Sequence, residues 1–192
     1  MNLLEEEMNE LQLKEKIALE ISKFKNKKGI YTFISKPEDY HIVNQEIIRF
    51  LTKNLNISGI YVTLNTSHCD MVKKFRAEKI DTEKLLFIDN IETGEGCKAH
   101  NCIFLGNTKS LTALSLGMSK ACENKSMEFI FFDSVTTILI YNTLKNTERF
   151  IHYFINKIKN LDILMIVISI EEPKSNKLTS ILSQFCDGCI KI

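Results

Sequence analysis

From Gly29 onward the chain alternates between two hydrophobic periods. Short runs of apolar and β-branched residues recur at 30–34, 59–64, 85–89, 101–105, 128–133, 163–170 and 188–192. Between most of them the apolar positions fall at three- and four-residue steps, which predicts helices over 39–55, 67–78, 110–124, 134–144, 147–161 and 176–185. Runs as unbroken as FIFF and ILMIVISI must be covered on both faces, the pattern of a parallel sheet. Strand and helix alternating over the whole span predict a three-layer α/β sandwich with a mostly parallel central sheet. No stretch inside 29–192 reads as a linker, and no internal repeat is visible.

Ahead of this region, residues 3–26 contain no Gly or Pro and are rich in strong helix formers. Leu4, Met8 and Leu11, then Ile17, Ile21 and Phe24, form an apolar stripe whose phase shifts near Leu13–Lys16, which argues against a long coiled coil. The chain therefore divides into an N-terminal amphipathic helix (1–28) and an α/β domain (29–192). Packing on its own domain is the plain role for the helix, and docking on a partner is the other. Lys25, Lys27 and Lys28 before Gly29 suit a helix C-terminus, where cations meet the negative end of the dipole.

Composition narrows the function. At 192 residues and 44% hydrophobic, the chain is long and apolar enough for a sizeable core. Lys+Arg 25 against Asp+Glu 24 leaves a net charge of +1, which lacks the electrostatic footprint of a nucleic-acid binder. Charged residues cut every apolar run well short of the ~18 residues that a membrane span needs. The acidic start at Glu5, Glu6 and Glu7 is unlike a secretory leader, so a cytoplasmic protein is expected. Of the six cysteines, Cys102, Cys122 and Cys189 fall in apolar or helical segments and read, like most of the set, as reduced packing residues.

Function in open parallel sheets gathers at the carboxyl ends of strands. The first strand is followed by SKPEDYHIVN, without glycine. Lys36 stands at the start of this loop, and Glu38 and Asp39 would repel a triphosphate and are expected to cap or occupy the helix N-terminus. The second strand ends in Asn65 and Thr66, neither of which can act as a base. The fifth ends FIFFDS: Asp133 could hold the hydration shell of magnesium, with Ser134 opening the next helix. The plainer reading is that Asp133 or Ser134 caps the helix beginning at Val135.

Three stretches resemble the RecA/KaiC-like P-loop ATPases, particularly small archaeal single-domain members. They are FIFFDSVTTILIY with NTERFIHYFINKIK after it, LGNTKSLTALSLGMSKACE, and the closing SILSQFCDGCIKI. The resemblance covers 29–192 and implies a RecA-like fold. It also implies ATP and magnesium held by a P-loop Lys and Thr, a carboxylate after the second strand, and a Walker B Asp. Only the last has a counterpart, Asp133. The P-loop positions correspond to Ser35–Asn44, and the carboxylate position falls near Asn65. Family members assemble side by side, and several act in signalling or on archaeal surface-filament motors, so a protein partner or self-association is implied. The expectation is a non-catalytic regulatory or interaction module, a pseudo-ATPase needing no cofactor. The alternative is a divergent NTPase that binds nucleotide through Asp133, Ser134, Lys36 and Asn65.

Other chemistry reads more weakly. Cys97, His100 and Cys102, with His68 and Cys69 at another strand end, could offer zinc ligands, but C-x4-C with an intervening His is not a common zinc spacing. Cys186 and Cys189 form a C-x-x-C at the end of the chain, where a structural role is expected. A nucleophile built from Cys69 with His68 or His41 lacks a supporting pattern. Arg149, Phe150, Tyr153 and Lys157 could form an aromatic–basic face around His152, although core packing explains Phe150 and Phe154 equally well. The loop 90–101 is the loosest segment of the chain.

Overall fold

The computed structural model describes residues 3–24, 28–91, 99–106, 110–173 and 175–192. Helix α1 (Leu3–Ser22) precedes strand β1 (Gly29–Ser35), α2 (Tyr40–Arg49), β2 (Gly59–Thr63), α3 (His68–Ala77), β3 (Leu85–Asp89) and β4 (Cys102–Phe104). There follow α4 (Leu111–Cys122), β5 (Phe129–Asp133), α5 (Val135–Tyr141), α6 (Leu144–Lys159), β6 (Leu164–Ile170), α7 (Asn176–Phe185) and β7 (Gly188–Lys191). Helix α2 continues as a π-helical turn over Phe50–Asn54. Every predicted strand is present, and they form one sheet in the order β4-β3-β2-β5-β6-β1-β7. All six neighbouring pairs are parallel.

Alternate strand residues feed two separate cores. Tyr31, Phe33, Tyr61, Phe87, Phe131 and Ile166 face α1, α2 and α3. Ile30, Ile60, Val62, Ile130, Phe132 and Val167 face α4, α5, α6 and α7. The chain runs from β1 to β4 toward one edge with its helices on the first face, then returns from β5 to β7 toward the other edge with its helices on the second. Right-handed crossovers require that change of face when the direction of travel reverses. The result is the expected three-layer sandwich.

Helix α1 belongs to the first core through Ile17, Ile21 and Phe24, with Leu13 partly buried against it. Met8 and Leu11, ahead of the phase shift, are exposed. The expected lysine-rich helix end differs: α1 stops at Ser22, residues 25–27 lie outside the described set, and Lys28 pairs with Asp162 at the foot of the sheet. Gly29 opens β1 with φ +116°, where a Cβ would come within 2.7 Å of the Asp187 carboxylate, so this position requires glycine. Asp187 in turn accepts the Ile30 N–H at 2.8 Å and ties the last turn of the chain to β1. Among the described residues no helix is long and apolar enough to cross a membrane.

Candidate functional site

Strands β2 and β5 are neighbours whose following connections leave in opposite directions, the switch point at which open parallel sheets place a ligand crevice. Register places Asp89, Thr63 and Asp133 side by side across β3, β2 and β5. Asp133 is 1% exposed. Its two carboxylate oxygens accept hydrogen bonds from the hydroxyls of Tyr40 and Tyr61. Tyr40 is the first residue of α2, and Tyr61 is the middle residue of β2, stacked on Phe131 with ring centroids 5.1 Å apart. One donor thus comes from the helix after β1 and the other from the strand beside β5.

Asn44, one turn after Tyr40, lies against the same cluster; its Oδ1 is buried with no hydrogen-bond partner among the described residues. Burial pushes the Asp133 carboxyl above its ordinary range, while the two tyrosine hydroxyls and the Asn44 amide pull it back. Both tyrosines are raised, by burial first and then by the charge of Asp133.

The other sequence-chosen residues separate. Asn65 is exposed at the mouth of the crevice, where its Nδ2 donates to the Tyr40 hydroxyl at 3.4 Å and its Oδ1 accepts from Thr137 at 2.6 Å. Ser134 is buried, joined to Asp133 by a cis peptide bond, and its Oγ lies 3.2 Å from Thr137 Oγ1. The capping reading of this pair is corrected: Ser134 occupies the N-cap position of α5 without a side-chain cap bond, and the Asp133 carboxylate turns to the tyrosines. Asp133, Ser134 and Asn65 therefore come together, linked through Tyr40 and Thr137.

Lys36 does not join them. Its side chain is exposed, and only its carbonyl is bonded among the described residues, to the Ser35 hydroxyl at 2.9 Å and the Asp39 N–H at 3.2 Å. The β1–α2 turn is the short span Lys36–Asp39. The expected acidic cap on α2 is also corrected, since Asp39 makes no side-chain cap bond and the residue that follows it, Tyr40, is buried.

Tyr40, Tyr61, Asn44 and Thr137 escaped the sequence reading. The one signal was Tyr61, a hydroxyl within the otherwise apolar strand GIYVT, because a buried phenol needs a partner.

The second acid of the row, Asp89, is fully buried and serves the backbone, accepting the His68 and Ile91 N–H groups at 2.7 Å each. His68 packs edge-on against Phe87, and burial lowers its basicity. His100 pairs with Glu83 at 3.1 Å. Among the described residues no group of His, Cys, Asp or Glu could hold a metal, and Cys97 and most of the 90–101 loop lie outside them. The cysteine reading needs correction at two places: Cys69 is disulfide-bonded, and Cys189 is exposed. Burial pushes the thiols of Cys122 and Cys186 up to about 11 and that of Cys102 to about 12, which leaves them unreactive. Phe150 and Phe154 are buried and stacked, whereas Arg149, His152 and Tyr153 face outward.

Comparison with known proteins agrees with this architecture. A KaiC-like protein from the hyperthermophilic archaeon Pyrococcus horikoshii superposes with a TM-score of 0.65 at 10% identity, covering 85% of this chain and 70% of its own. An uncharacterized protein from the same organism, crystallised with an unknown peptide, gives a TM-score of 0.62 at 14% identity, with 85% and 77% covered. A search of the curated proteins finds no match. The family model described as "ATPase: KaiC" matches residues 47–192, well over half of the sequence. The chain belongs to the KaiC ATPase family.

Proposed function

We propose that this chain is a KaiC-family protein that does not hydrolyse ATP and acts by contact, with a protein partner or with its own copies, as a regulatory or interaction module. The observation that carries the reading is the state of Asp133: desolvated, and with both carboxylate oxygens taken by the Tyr40 and Tyr61 hydroxyls. A magnesium-bound nucleotide needs that carboxylate turned toward the crevice and backbone N–H groups closing around phosphate. Here the turn after β1 is short and glycine-free, Glu38 and Asp39 stand on it, and a tyrosine ring lies where the helix opens. The residues present do not fit a triphosphate and its metal. Charge-assisted bonds to phosphate contribute roughly 1.5–3 kcal/mol each, and Asp133, Ser134 and Asn65 carry no cation to supply them.

A cytoplasmic setting is part of the proposal; the free thiols support it, and the Cys69 disulfide weighs against it. The test is titration of the full chain with Mg-ATP, read by calorimetry, thermal stability and phosphate release. No binding heat, no stabilisation and no turnover are expected. Saturable stabilisation together with turnover that Asp133→Ala abolishes would instead establish the divergent NTPase, working through Asp133, Ser134, Asn65 and Lys36.

A further inference from the structure

Helix α6 carries on its outer side a row of four side chains spaced four residues apart: Lys145, Arg149, Tyr153 and Lys157. Successive members of such a row stand one above the next, about 6 Å apart along the axis, so this one runs about 18 Å. The row lines an open groove of about 860 Å³, which Phe185 at the end of α7 also lines. Tyr153 is 56% exposed, and the His152 ring stands edge-on to Phe185 at 5.0 Å. Lys157 is half-buried and donates to the Ser119 hydroxyl, while Lys145 and Arg149 are exposed.

Two features separate Lys145 and Arg149 from ordinary surface charge. Among the described residues neither has an ion-pair partner, although Glu148 lies on the adjoining row. They stand four residues apart on one helix, where like charges repel. Lys145 also lies in the first turn of α6, which holds no acid. The helix dipole is positive there and favours the opposite charge. Both arrangements work against the isolated helix, and an anion laid along the row relieves both.

We propose that this row is the docking site for an extended acidic segment of a protein partner. In an extended chain every second side chain points the same way, at a repeat of about 6.6 Å, close to the spacing of the row. Two acids at alternate positions then meet Lys145 and Arg149, an apolar side chain meets Tyr153, and a third acid reaches Lys157. The adjoining row holds Glu148, Asn156 and Asn160, which offer acceptors as well as donors. A peptide main chain, with its N–H and C=O groups, uses both. A phosphodiester backbone presents only acceptors and negative charge there, Glu148 repels it, and a net charge of +1 adds no attraction from the rest of the chain. This inference rests on the reading that the chain works by contact, and it names the chemistry of the partner.

Fluorescence polarisation of the full chain tests it. The probe is a dye-labelled heptapeptide with glutamate at its first, third and seventh positions, leucine at the fifth and serine between. Saturable binding that weakens as salt is raised is expected. Lys145→Glu with Arg149→Glu should raise the Kd at least about tenfold, and so should glutamine in place of the three glutamates of the peptide. Glutamate in the first turn suits the helix dipole, so melting of the double variant should not fall, and lost binding cannot then be lost folding. A scrambled peptide of the same composition should bind more weakly. A wild-type chain that does not bind the probe, binding that the double variant leaves unaltered, or a scrambled peptide that binds equally well overturns the proposal. So does a single-stranded oligothymidine that binds the wild type more tightly and displaces the peptide. Turnover of ATP would overturn the non-catalytic reading and leave this measurement as it stands.

Discussion

The carboxylate of Asp133 is held by two phenol hydrogens in a place without water, and these conditions pull its acidity in opposite directions. Burial prevails, so the folded pKa lies above the ordinary 3.8. The folded chain then retains a proton that the unfolded chain has lost. Stability from this position is complete below the unfolded value and is lost as pH rises through the folded one. Asp133→Asn removes the titration. The unfolding free energy of the wild type should therefore fall relative to that of the variant as pH rises above the ordinary Asp value of about 4. A difference constant with pH would mean that folding leaves the acidity of Asp133 unaltered. Tyr40→Phe takes one donor from the same carboxylate and should cost about 1–3 kcal/mol by denaturant unfolding. Asp133 and Ser134 were legible in the sequence because four apolar residues running into Asp-Ser is a local pattern. The tyrosines were not, since the partner of a phenol depends on which strand and helix end arrive beside it.

At the scale of elements, α3 shows how a helix start is divided between a local and a distant group. Ser67 accepts the Asp70 N–H at 3.3 Å from its own N-cap position, partly in solvent. Asp89, brought by β3, accepts the His68 N–H in full burial and that of Ile91 as well. Ser67→Ala should cost about 1 kcal/mol. Asp89→Ala leaves two amides without an acceptor and should cost about 3 kcal/mol. Equal losses in denaturant titrations would show that the local cap alone sets the helix. The amphipathic pattern marked α6 clearly, with Phe150, Ile151, Phe154 and Ile155 inward, and the phase break in α1 marked the point where that helix leaves the body. Boundaries were less legible. The predicted helix at 147–161 begins at Leu144, and the one at 39–55 changes to a π-helical turn at Phe50, because caps and winding answer to neighbours as well as to sequence.

The whole molecule is a sheet with a separate core on each face, and the two cores share only backbone. Ile47 is fully buried in one and Phe154 is buried in the other. Ile47→Ala and Phe154→Ala should each cost about 2–5 kcal/mol. Their effects should add to within about 0.5 kcal/mol in the double variant, while unfolding stays a single transition. A strong departure from additivity would mean that the sheet transmits strain between its faces. By itself the sequence determined the number of strands, their parallel character and the alternation with helices, because periodicity is written in neighbours two to four residues apart. It also determined that the turn after β1 carries acids and no glycine. Only the tertiary structure decided the order β4-β3-β2-β5-β6-β1-β7 and the meeting of Tyr40 and Tyr61 on Asp133. Those depend on which way each crossover turns, and that is settled by contacts between residues far apart in the chain.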